Sequence, residues 1–136
     1  MNRRIIGYCF FVMAACAISV GCVPVQPSAH DLVGSWRVVW KCGTERLEIG
    51  ADATYTQRID FAAGGTATHS GTWTVAPRQS HLSGGKLVLK DALQFCSVFG
   101  ERLLKPEREE RQLDAIWEWG RVILSFNPDN QGFERQ

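Results

Sequence analysis

Chemistry in this chain would have to come from five cysteines, three histidines and scattered carboxylates. The histidines, His30, His69 and His81, are far apart, and no Cys-X-X-Cys or paired-His spacing exists, so neither a metal nor a cofactor is expected. No serine sits in a nucleophile elbow, and no acidic pair has a spacing that implies acid and base roles. The expectation is a protein that is not an enzyme. Basic residues are scattered, with no stripe alternating with aromatics, which argues against nucleic acid as a partner.

Two of the 15 basic residues, Arg3 and Arg4, precede an uncharged apolar run from Ile5 to Gly21. A basic flank on such a run is the layout of a secretory signal, and residues 1–21 are set aside from the fold as a leader. A transmembrane helix is the competing reading, because about 18 apolar residues is the lower bound for a span. Without the leader, 13 basic residues stand against 14 acidic ones, a net charge of −1.

The run ends in Ser19-Val20-Gly21-Cys22, small residues ahead of a cysteine, and Pro24 and Pro27 bar a helix from continuing. This resembles the lipobox of bacterial lipoproteins, in which the cysteine is lipidated and becomes the first residue of the mature chain. Ser19 stands where that family usually has leucine. Met13-Ala14-Ala15-Cys16 is a second candidate with a shorter apolar run, and an ordinary signal peptide is the third reading. The resemblance implies acyl chains on Cys22, enough for stable anchoring at about 0.8 kcal/mol per buried methylene. In that family Val23 in place of Asp after the cysteine implies sorting to the outer membrane, facing the periplasm, in a host that has one. Residues 22–31 read as a short extended tether with a solvated His30.

From 32–136 the hydropathy alternates with period two. Trp36, Val38 and Trp40 share a face, as do Tyr55, Gln57, Ile59 and Phe61. Ala67, His69, Gly71, Trp73 and Val75 form a third row, Leu87 and Leu89 a fourth, and Leu93 and Phe95 continue after a break at Asp91. Leu113, Ala115, Trp117 and Trp119, then Val122, Leu124 and Phe126, complete the set, with a short last strand at 132–135. About eight strands joined by Gly and Asn turns predict an all-β fold, a barrel or a sandwich. The exception is 100–111, where Glu101 with Lys105 and Glu107 with Arg111 have helical spacing, so one short helical segment is expected there.

Gly34-Ser35-Trp36 at the first strand, with Ser70-Gly71-Thr72-Trp73 and Gly85-Lys86-Leu87-Val88-Leu89 later, resembles the lipocalin-like domains of the calycin group. The resemblance implies a small antiparallel up-and-down barrel, with Trp36, beside Gly34, plugging its closed end and a late arginine stacking on it. Arg121 and Arg135 are both candidates. The chain is shorter than a full lipocalin, which counts against a deep cavity.

In an exported protein the two cysteines left after Cys22, namely Cys42 and Cys96, are expected to form a disulfide, with two free thiols as the alternative. Cys42 has the parity of the Trp36 face and Cys96 opposes Phe95, so a bulge or strand end must bring them together. His69 and Gln57 have inward parity and are either satisfied in the core or presented to a ligand. The expected function is a lipid-anchored envelope lipoprotein whose barrel binds a small apolar or amphipathic ligand among Trp40, Tyr55, Gln57, Ile59, His69, Trp73 and Trp117. The alternative is a solid barrel that binds an envelope protein.

Overall fold

A computed structural model describes residues 26–77, 85–97, 101–127 and 131–136. The leader, Cys16, Cys22, His81 and the Pro128–Asn130 part of the last expected turn lie outside the described residues. A short helix α1 (Ala29–Leu32) precedes strands β1 (Gly34–Trp40), β2 (Gly43–Ile49), β3 (Thr54–Phe61), β4 (Thr66–Ala76), β5 (Gly85–Cys96), β6 (Arg102–Glu118), β7 (Arg121–Asn127) and β8 (Gln131–Arg135). Each strand pairs antiparallel with the next, and β8 returns to β1, closing an eight-stranded barrel.

Alternation decides which side chains fill it. In β2 and β3 every second residue is buried, from Glu45, Leu47 and Ile49 to Tyr55, Gln57, Ile59 and Phe61. One rim, where β1 starts, is closed by α1: Leu32 and Trp36 are wholly buried, and the Trp36 indole donates to the Leu32 carbonyl at 2.9 Å. The opposite rim holds a smaller cluster of Cys42, Ile59, Phe61 and Phe95.

The wall has an irregular stretch between β4 and β5. β4 pairs with β3 over Thr66–Thr72 but with β5 only over Trp73–Ala76. Above Leu89, β5 carries a bulge at Asp91, whose φ is +55°, and the extra residue turns Ala92 inward as Leu89 is. Tyr55 occupies the gap. Its hydroxyl donates to the Lys90 carbonyl at 2.8 Å, and its ring lies over Gly71, where a Cβ would come within 2.7 Å of the ring and 2.6 Å of the Lys90 oxygen.

Three expectations need correction. Residues 102–111 are not helical but form the first half of β6. Between the pairs Cys96↔Arg102 and Gln94↔Glu107 the register slips, leaving 103–106 as a bulge. Pro106, which has no N–H for a ladder, falls inside it. Of the charges that suggested a helix face, Glu101, Lys105 and Glu107 are exposed at the rim, whereas Arg111 turns inward. Second, the stretch expected as an extended tether is packed from Gln26 onward: Pro27 is fully buried, and Asp31 accepts from both the backbone N–H and the hydroxyl of Ser28 (2.7 and 2.6 Å), starting α1. His30 is exposed. Third, Trp119 does not continue the inward face of β6. The strand ends at Glu118, and Trp119 (φ +51°) with Gly120 (φ +79°) forms a two-residue turn that leaves the indole 94% exposed.

Candidate functional site

The rim opposite α1 holds a pocket of about 250 Å³. Its apolar walls are Trp40 at the end of β1, Ile59 from β3, Phe95 from β5 and Phe126 from β7, with Trp40 and Phe126 edge to face at 4.9 Å. Its polar side is made by Glu45, Glu109 and Arg111. Glu45 alternates with Leu47 and Ile49, and Arg111 with Leu113 and Ala115, so both charges stand on core-facing positions.

Their proximity accounts for their burial. Arg111 Nη1 donates to Glu45 Oε1 at 2.6 Å, with side chains only 10% and 3% exposed. The same Oε1 accepts from Gln57 Nε2 at 2.6 Å, and Oε2 accepts from the Trp40 indole at 2.9 Å. Arg111 Nη2 donates to the Leu93 carbonyl at 2.8 Å, and its guanidinium stands 5.4 Å from the Phe126 ring centre. Gln57 completes the layer: its amide donates to the Leu93 carbonyl (2.8 Å) and accepts from the Leu93 N–H (3.0 Å). Where β4 leaves β5 unpaired, the Gln57 side chain thus takes the place of a neighbouring strand. A buried charge without these partners would be strongly unfavourable.

The sequence-predicted residues divide between the two ends. Trp40 and Ile59 line the pocket, with Gln57 beneath it as a partner of Glu45. Tyr55 and Trp73 are packed into the core toward the closed rim, and the Trp73 indole donates to the Gly50 carbonyl at 2.9 Å. Burial pushes the Tyr55 phenol up to about 12. His69 faces inward opposite Gln57, 6.3 Å from the Tyr55 ring, and its buried Nε2 makes no hydrogen bond with a described group. Trp117 lies at the closed rim, 36% exposed and away from the pocket.

Cys42 and Cys96 come together with Cα atoms 6.1 Å apart, at disulfide distance. Cys42 sits in the turn after β1 and Cys96 ends β5 beside the register slip, which resolves their mismatched parity. At the closed rim Arg135, not Arg121, covers the tryptophan. Its guanidinium lies 5.6 Å from the Trp36 ring centre and donates to the Val33 carbonyl at 2.9 Å. Gly34, at φ +137°, leaves room for it, since a Cβ there would stand 3.4 Å from Nη2.

Glu45 and Arg111 were not among the expected site residues, although their parity with leucines marked them as charges facing the core. Fold and site together define an eight-stranded antiparallel barrel, consistent with a lipocalin-like fold, plugged at one end and pocketed at the other. Compared with known proteins, the chain matches no family model, no curated protein and no solved structure.

Proposed function

We propose that this protein is a lipid-anchored lipoprotein of the bacterial envelope, exported and tethered through Cys22 to the outer membrane on its periplasmic face. Its barrel holds a small amphipathic ligand in the pocket beside Trp40. The observation that carries the ligand reading is the pocket itself: aromatic walls on one side and a hydrogen-bonded Glu45–Arg111 pair on the other, the usual make-up of a small-molecule site. At about 250 Å³ it is smaller than a drug-sized site of about 300–1,000 Å³. Because Tyr55 and Trp73 are packed below it, the ligand is a short molecule rather than a long acyl chain or a retinoid. The anchor reading rests on the apolar leader ending in Ser19-Val20-Gly21-Cys22.

The test is a titration of the purified mature protein with straight-chain carboxylates, alcohols and amines of increasing length, followed through the Trp40 indole N–H resonance. A saturable shift that strengthens with length and then vanishes as the probe outgrows the pocket is expected. No shift with any probe at millimolar concentration would remove the ligand reading.

One feature favours the alternative, an envelope protein as partner. The exposed strand segment at 102–110 carries charges of both signs around a wholly exposed Leu104. Crosslinking from this segment in envelope extract should yield one stoichiometric partner if that reading holds.

A further inference from the structure

In a barrel of alternately rising and falling strands, each connection belongs to one of two rims. β1, β3, β5 and β7 begin at the rim closed by α1, and β6 ends there in the Trp119–Gly120 turn. The pocket opens at the other rim. Gln26, where the described chain begins, is fixed at the closed rim: a Cβ on Gly85 would fall 2.5 Å from Gln26 Cγ, so this side chain lies across the start of β5. The four residues from Cys22 to Val25 span at most about 14 Å of extended chain. A lipid on Cys22 would therefore hold this rim, and not the pocket, against the bilayer.

This is also the rim with exposed tryptophans. Trp119 is 94% exposed and Trp117 36% exposed. Next to them β7 and β8 part. Their pairing stops at Leu124↔Phe133, and below it a cleft of about 700 Å³ opens, lined among others by Trp117, Ile123 and Phe133, with Arg121 and Arg135 as its cations and Glu134 as its one carboxylate. Arg121 is exposed and pairs with no acid among the described residues.

We propose that the closed rim is a phospholipid-contacting surface, in which Trp119 and Trp117 seat in the membrane interface and Arg121, at the cleft, takes a lipid phosphate. An indole has an apolar body and one N–H donor, which suits the boundary between headgroup and acyl chain. A guanidinium pairs with phosphate through paired N–H donors. Docking of this rim rests on the Cys22 anchor, and it fixes the barrel with its pocket facing away from the bilayer.

The test uses the full precursor, processed in cells, purified as the mature protein and reconstituted into phosphatidylethanolamine/phosphatidylglycerol vesicles with brominated acyl chains. Bromine should quench the wild-type tryptophan emission at least twofold more than that of Trp119→Ser, and Arg121→Ala should lose part of the difference. Equal quenching of wild type and Trp119→Ser would overturn the proposal. The mass of the N-terminal peptide from the same sample separates the causes. Acylated Cys22 with equal quenching sinks the docking and leaves the anchor standing, whereas unmodified Cys22 sinks both.

Discussion

Glu45 and Arg111, 66 residues apart in the chain, meet across the barrel interior at 2.6 Å and are joined there by Gln57, Trp40 and the Leu93 carbonyl. The pair closes the floor of the pocket and stands between it and the packed lower half. Removing one partner leaves the other charge buried and unpaired, which costs about 3–5 kcal/mol. Glu45→Ala and Arg111→Ala should each lower unfolding stability by that amount, while the double variant loses clearly less than their sum. Urea denaturation of all four proteins measures this coupling, and additive losses would show that the charges do not depend on one another.

Arg135 should matter where Arg121 does not. A cation over an indole contributes about 0.5–2 kcal/mol, and Arg135 also donates to the Val33 carbonyl. Arg135→Ala is expected to destabilise by about 1–2 kcal/mol and Arg121→Ala by less than about 0.5 kcal/mol. Thermal unfolding of the two variants decides it, and equal losses would count against the stacking role.

The barrel was legible because nearly every strand alternates, and period two needs nothing but the chain itself. The 102–111 segment was not, because charged residues at i and i+4 read as a helix when no alternating apolar face is present; only its pairing with β5 makes it a strand. Trp119 was misplaced because two positive φ values, not hydropathy, end β6. The pocket was half legible. Trp40 and Ile59 carry the right parity, but the floor needs two charges from distant strands, and sequence order does not reveal which inward charges meet. Gln57 was recognised as a buried polar group in need of partners, yet what it satisfies is a backbone left unpaired by a strand divergence that no local signal announces.

Tyr55 offers a direct pH measurement. The chain has two tyrosines, Tyr8 and Tyr55, so a mature chain starting at Cys22 contains Tyr55 alone. Burial favours its neutral form and pushes its pKa up to about 12, against 10.0 for a free phenol. The folded state therefore keeps a proton that the unfolded state loses first. The stability this contributes is fully present below pH 10 and drains away as pH rises toward 12. Phenolate absorbance should rise near pH 12 in native protein and near pH 10 in denaturant, and a native midpoint at 10 would contradict the burial.

Reduction of the Cys42–Cys96 link is expected to lower stability by up to about 4 kcal/mol, since it frees a long loop in the unfolded chain. Cys42→Ala/Cys96→Ala should behave like the reduced protein, and because Cys96 lines the pocket, probe binding there should weaken as well. Unchanged stability on reduction would mean that the link is not formed in the protein.

The closure of the barrel carries a mechanical consequence. β8 is fastened to β1 through Trp36↔Arg135 and Arg37↔Glu134, helped by the Gln136 N–H on the Ser35 carbonyl, and to β7 only above Leu124. It is the least secured stave of the cask. Without it the raw sides of β1 and β7 would stand bare.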